Sequence, residues 1–313
     1  MPGAWIPRDA NMDAPVPTLS ARAIRLPDPE RGEDIQVRVS APVTGRALPV
    51  ILFSHGHGSS MDGYAPLVDF WSARGFVVVQ PTYLDARRLG LHENDTRRPS
   101  IWRTRIADAK RVIDELDQVL KPVPGLRERI DPTRIAAVGH SFGGQTTSML
   151  LGARMIAGDE DEDFADRRVK AGILLASGGR GGDDLSDLGR RITPYLDTSF
   201  DGMTTPALIV AGDADRSPLT VRGPDWFQDP FHLSPGPKAL LTLRGGEHML
   251  GGISGYEVTE TTDENADRVR LIQEATLAYL RNELNGDRAG WTEIATRLSN
   301  GAEATIETKQ ASC

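Results

Sequence analysis

Cysteine is all but missing from this 313-residue sequence; its single cysteine is Cys313, the last residue. That excludes an intrachain disulfide framework and a thiolate metal cluster. Long apolar runs are missing too, since nothing approaches the ~20 consecutive residues that span a bilayer. Positive charge is in deficit, 36 basic residues against 44 acidic, for a formal net charge of −8. Nucleic acid and anionic membranes both demand a basic face, so neither is an expected partner. No export signal is legible either: residues 1–17 carry proline and aspartate where a leader needs an apolar centre. A mature chain with its leader removed would read the same, so a cytoplasmic setting is only the default expectation. Aromatics are few, at 6 %, but 39 % apolar and 26 % charged residues are ordinary for a globular protein.

What is present is organised around residues 134–144, R-I-A-A-V-G-H-S-F-G-G. The apolar run 135–138 predicts a short buried strand, and residues 145–156 can form a helix. A G-x-S-x-G between a strand and a helix is the setting of a nucleophile elbow. The turn forces Ser141 into a strained conformation, so its neighbours two positions away must lack bulk, as Gly139 and Gly143 do. A helix starting just after the serine aims N–H groups and partial positive charge at the reaction centre.

The remaining chain predicts a scaffold for that serine. Residues 1–20 are Pro-rich and read as an N-terminal arm. Residues 21–26 and 35–40 alternate apolar and polar, as half-buried antiparallel strands do. Residues 48–53 are a continuous apolar run, the pattern of a strand buried on both faces; 76–80, 169–176 and 206–211 read as further buried strands, and 238–243 as the last strand. Helical spacing appears over 64–73, 101–120 and 263–284. Alternating strands and helices imply an α/β fold, a mostly parallel sheet of about eight strands with helices on both faces. One domain is expected over 21–285, with loop excursions near 85–102, 178–205 and 217–237. Residues 286–313 read as a C-terminal tail with a short helix near 291–298.

In such a sheet, ligands bind beyond the carboxyl ends of the strands, so reactive residues should follow strands. A serine hydroxyl needs a base within hydrogen-bond reach to become a nucleophile. Of six histidines, His248 follows the last predicted strand, after Gly245 and Gly246. It also obeys the order serine, acid, base that accompanies such an elbow. His232, among prolines and aromatics, is the runner-up. The acid must hold the other imidazole nitrogen, and the strand 206–211 ends in Asp213 and Asp215; Asp183 and Asp184 are third choices. The oxyanion needs two N–H donors: one from Phe142, after the nucleophile, and one from the glycine-rich loop His55-Gly56-His57-Gly58, where His57 is the expected donor.

Two metal readings compete. His55 and His57 with a third residue could ligate a metal, but no carboxylate or cysteine stands near them in sequence. The acidic run 159–163 suggests calcium, but Phe164 occupies loop position six, where a glycine belongs, and Lys170 position twelve, where a glutamate belongs. No metal and no cofactor are expected. Trp102, Tyr195, Trp226, Phe227 and Phe231 fall in the loop excursions and are candidate pocket walls, with Trp102, Trp226 and Phe227 preferred.

Taken together, V-I-L-F-S-H-G-H-G, G-F-V-V-V-Q-P, G-H-S-F-G-G, P-A-L-I-V-A-G-D-A-D-R-S-P and G-G-E-H resemble α/β-hydrolases of the chlorophyllase, platelet-activating-factor acetylhydrolase and dienelactone-hydrolase-like group. The resemblance runs from about Pro49 to Leu284. It implies a cofactor-free serine esterase, with nucleophile Ser141, base His248 and oxyanion donors His57 and Phe142. In many α/β-hydrolases the acid lies three residues after the glycine ending the seventh strand, which implies Asp215 over Asp213. Two departures stand out. Chlorophyllases and the acetylhydrolases carry their acid after the sixth strand, where this chain has A-S-G-G (176–179), and dienelactone hydrolases use a cysteine nucleophile. The expected activity is hydrolysis of a small or medium apolar ester by a monomer or homodimer. A peptidase or amidase, an acyltransferase, or a silent binding protein of the same fold are the alternatives.

Overall fold

The runs at 48–54, 77–82 and 207–212 become strands buried along their whole length. The computed structural model describes residues 14–156, 162–257, 262–299 and 301–310. Its strands are β1 (Thr18–Leu26), β2 (Ile35–Pro42), β3 (Leu48–Ser54), β4 (Val77–Thr82), β5 (Ile130–His140), β6 (Arg154–Met155), β7 (Val169–Leu175), β8 (Thr198–Ser199), β9 (Ala207–Gly212), β10 (Lys238–Leu243) and β11 (Ala304–Lys309). Nine of them form one sheet in the order β1-β2-β4-β3-β5-β7-β9-β10-β11, and β6 pairs with β8 apart from it. The pairs from β4 through β10 are all parallel, while β1/β2, β2/β4 and β10/β11 are antiparallel.

The helices are α1 (Ala65–Ser72), α2 (Ile101–Asp114), α3 (Leu116–Leu120), α4 (Phe142–Leu150), α5 (Asp187–Ile192), α6 (Asp229–His232), α7 (Ala266–Asn285) and α8 (Arg288–Leu298). Successive strand residues point to opposite faces, so each central strand feeds two cores. Val50 and Leu52 join the core under α2, α3 and α4. Ile51 and Phe53 join the core under α1, α7 and α8. That is why β3 reads as a continuous apolar run.

Local chemistry sets the helix ends. The Asn265 side chain accepts the Arg268 N–H at the start of α7, and Gly286 closes it in a left-handed conformation with φ 73°. Three sequence expectations change. The predicted helix 101–120 is broken at Glu115, which leaves helical geometry at φ −101°, ψ 25°. The helix after the serine begins at Phe142, earlier than expected, and ends at Leu150 ahead of Gly152, whose φ is 107°.

The third change is the largest: 238–243 is not the last strand. β11 pairs antiparallel with β10 in a six-residue register from Lys238–Lys309 to Leu243–Ala304, giving nine strands rather than about eight. Its signal was weak because an edge strand shares half its surface with water. Only Ala304 and Ile306 are buried, while Glu307 and Lys309 look like tail residues. Residues 1–13 of the expected arm, 159–161 of the acidic run and Cys313 lie outside the described residues; residues 18–20 already belong to β1. Among the described residues, no helix is long and apolar enough to cross a membrane.

Candidate active site

Ser141 stands between β5 and α4 at φ 54°, ψ −119°, a region that non-glycine residues avoid at a cost of order 1–3 kcal/mol. The surroundings enforce it. The Ser141 N–H donates to the Leu175 carbonyl at 2.9 Å, tying the turn to the end of β7. A Cβ on Gly139 would run into the Gly143 carbonyl, and one on Gly143 into the Ser54 and His55 carbonyls. The turn therefore rests backbone to backbone on the loop that leaves β3. That close approach brings the serine and the H-G-H-G loop together.

His248 arrives after β10, its side chain 36 % exposed. Its Nε2 lies 2.9 Å from Ser141 Oγ and its Nδ1 lies 3.0 Å from Asp215 Oδ2. Asp215 is fully buried, and no donor among the described residues reaches its other oxygen. Asp213 does something else: its Oδ1 accepts the Gly245 N–H at 2.6 Å, bracing the loop that carries the histidine. Asp263 braces the same loop on both sides of His248. Its Oδ2 accepts the Glu247 N–H at 2.8 Å, the Gly251 N–H at 3.0 Å and an Arg268 N–H at 3.1 Å. Nothing in the sequence pattern pointed to Asp263, because the loop groups it holds are backbone N–H groups.

The loop 55–58 is built around a buried cation that sequence reasoning also missed. Arg105, on α2 and 0 % exposed, donates to both oxygens of Asp85 at 2.7 and 2.8 Å, to Thr146 Oγ1 at 3.1 Å and to the His55 carbonyl. Its guanidinium also lies 4.2 Å from the Tyr83 ring centroid and 4.5 Å from that of Phe142. Burial alone would raise the Asp85 carboxyl. Arg105, His57 and His55 outweigh it and hold Asp85 well below the usual carboxylate range. Asp85 Oδ2 in turn accepts the Gly58 N–H at 3.2 Å and sits 3.4 Å from His57 Nδ1. The Gly56 N–H is taken by Tyr64 Oη at 2.9 Å. The donors flanking His57 are thus committed to the protein, and Phe142 opens α4, where an N–H has no intrahelical acceptor.

Asp85 supplies a carboxylate near His57, which the sequence alone did not reveal, but His55 is not arranged as a ligand. The Tyr83 N–H donates to its Nε2 at 3.0 Å, and its Nδ1 lies 2.7 Å from the Gly56 carbonyl. Both ring nitrogens are occupied, and burial, then Arg105, lowers its pKa to about 3. Among the described residues no group of three His, Cys, Asp or Glu could hold a metal ion.

The preferred wall aromatics are buried. Trp102, Trp226 and Phe227 are 6 %, 2 % and 1 % exposed. Trp102 stacks on Tyr195 at 5.9 Å between centroids, and Trp226 meets Phe227 edge-on at 5.1 Å while its Nε1–H donates to the Arg180 carbonyl at 2.6 Å. Of the phenylalanine rings, Phe227 lies 5.8 Å from His248 and Phe142 6.2 Å from His57 between centroids. Arg222 joins the two later excursions by ion pairs with Asp184 at 3.1 Å and Asp229 at 2.8 Å. That removes Asp184 from contention as an acid. His232 is exposed at the end of α6, and its carbonyl accepts from Lys309 on the β11 edge.

A sequence profile described as the alpha/beta hydrolase family matches residues 51–295. Among curated proteins, this chain is similar to the platelet-activating factor acetylhydrolase of the dog, Canis lupus familiaris. The two are 22 % identical over 287 residues, covering 77 % of this chain and 58 % of that protein. The chain thus spans little more than half the length of that relative.

Proposed function

This chain belongs to the alpha/beta hydrolase family, and from that premise we propose that it hydrolyses carboxylic esters through a Ser-His-Asp triad and an acyl-enzyme intermediate. One observation carries the reading: a line of two hydrogen bonds, Ser141 Oγ to His248 Nε2 at 2.9 Å and His248 Nδ1 to Asp215 at 3.0 Å, ending on a serine held at φ 54°. Ser141 Oγ attacks the ester carbonyl while His248 Nε2 takes its proton. Asp215 accepts from Nδ1–H, fixing the tautomer and stabilising the imidazolium that forms. The His57 and Phe142 N–H groups receive the oxyanion, and one such donor is typically worth ~3 kcal/mol of transition-state stabilisation. His248 returns the proton to the departing alcohol. Water then attacks the acyl-serine by the same route, releasing the acid and regenerating Ser141. No step calls on a cofactor.

Phe142 and Phe227 beside the two histidines favour an apolar ester, and a relative named an acetylhydrolase favours a short acyl group. The test is turnover of p-nitrophenyl esters of rising acyl length by wild type and Ser141→Ala. The expected result is a preferred short chain length and loss of turnover in the variant. Equal turnover by the two proteins would overturn the assignment of Ser141.

A further inference from the structure

The residue before the nucleophile, His140, is 1 % exposed and has no part in the steps above. Its Nε2 lies 2.8 Å from the His248 carbonyl oxygen. A carbonyl cannot donate, so Nε2 carries the hydrogen and Nδ1 of the neutral ring is an acceptor. Tyr64 Oη, 2.8 Å away, therefore donates to Nδ1. The same Tyr64 oxygen accepts the Gly56 N–H at 2.9 Å. Only one polarity satisfies all three bonds: Gly56 N–H to Tyr64, Tyr64 O–H to His140, His140 N–H to His248. Burial, reinforced by His248, keeps the ring neutral, with its pKa lowered to about 3.

We propose that Tyr64 and His140 are positioning residues whose one-way hydrogen-bond chain locks the oxyanion loop and the His248 loop at a fixed spacing around Ser141. The inference rests on the reading of Ser141, His248 and the His57 N–H given above. Gly56 is bonded in sequence to His57, and His140 to Ser141, so the chain is anchored at all three reacting elements. The backbone of Tyr64 is also spent on this arrangement. It sits in the left-handed region at φ 65°, ψ 25°, where a bulky residue is strained, and its N–H donates to the Ser254 carbonyl at 3.0 Å, beyond His248 in the same loop. Its ring packs on Phe53 and His140 at 4.7 and 5.6 Å between centroids. Displacements well under 1 Å matter here, because misplacing reacting groups by 1 Å can cost ~100-fold in rate.

Tyr64→Phe keeps the ring and deletes the oxygen shared by both loops. With p-nitrophenyl butyrate as substrate, kcat should fall about tenfold while KM stays within about twofold, the pattern of a lost transition-state arrangement. The rate of fluorophosphonate labelling of Ser141 should fall in step. Combined with His140→Leu, the double variant should be no slower than the slower single one, since one chain is broken twice. Wild-type kcat and labelling rate in Tyr64→Phe would overturn the proposal, as would losses that multiply in the double variant. If Tyr64→Phe lowers the melting temperature too far for kinetics, position 140 decides. Glutamine keeps a donor for the His248 carbonyl and asparagine an acceptor for the Tyr64 hydroxyl, so each breaks the chain once; both should lower kcat while KM stays within about twofold, and wild-type kcat in either overturns the inference. Ser141→Ala is measured alongside. Activity there would sink the reading of the site itself, whereas an inactive Ser141→Ala beside a fully active Tyr64→Phe sinks only this inference.

Discussion

Replacing Arg105 by methionine removes a fully buried guanidinium while keeping an unbranched stem in its place. The native group makes two bonds to Asp85, one to Thr146 and one to the His55 carbonyl. Breaking a buried ion pair from one side leaves an uncompensated charge and costs ~3–5 kcal/mol. At the shallow end of the scaling for long chains, ~2 °C per kcal/mol, that is a fall in melting temperature of about 6–10 °C. Adding Asp85→Asn removes the stranded charge and should return more than ~1 kcal/mol.

The deficit should also depend on pH, with a sign that follows from Asp85. In the native chain its carboxyl is held well below the usual range against the opposing effect of burial. Its stabilising contribution is therefore present above the unfolded pKa of ~3.9 and is lost as the pH falls below it. Without Arg105, burial dominates and the folded carboxyl moves above its unfolded value. Asp85 then destabilises increasingly as the pH climbs past ~4. Urea unfolding midpoints of wild type and Arg105→Met at pH 4, 6 and 8 should show the smallest gap at pH 4 and the largest at pH 8. A gap below ~1 kcal/mol at pH 8, or one that is flat with pH, would refute the argument that this pair holds the loop.

The two aspartates after β9 should separate cleanly. Asp215→Asn should lose about 10⁴-fold in kcat, the scale set by losing the correct imidazole tautomer, whereas Asp213→Asn keeps an amide oxygen that can accept the Gly245 N–H and should lose about tenfold or less; similar losses on one p-nitrophenyl ester would reassign the acid. On the far edge of the sheet, Ile306→Lys places a charge at a side chain only 7 % exposed and should cost ~2 kcal/mol or more. It should also bare the β10 edge to self-association. An unchanged urea midpoint and unchanged light scattering would mean that β11 contributes nothing to the folded chain.

The central sheet was legible because burial on both faces leaves a mark that needs no partner to read: β3 and β9 are almost wholly apolar, and β4, β7 and β10 mostly so. The turn at Ser141 was legible for a similar reason. Gly139, Ser141 and Gly143 answer a purely local steric demand, and the strand and helix around them are neighbours in sequence. Ends and edges were harder. The break at Glu115 has no local signature, and β11 reads as a polar tail until β10 is present beside it.

The sequence by itself determined which residue types stand at the carboxyl ends of which strands: Ser141 after β5, Asp213 and Asp215 after β9, His248 after β10. Tertiary structure alone decided which of them meet. Asp213 and Asp215 differ by two positions on one turn, and only the path of the loop 244–252, held by Asp263, decides which carboxylate faces the imidazole. Arg105 and Asp85, twenty residues apart, likewise become the frame of the loop 55–58 only when α2 packs against β4 and α4. Local sterics and burial are written along the chain, but a hydrogen bond or ion pair between distant segments exists only once packing has set their separation to within a few tenths of an ångström.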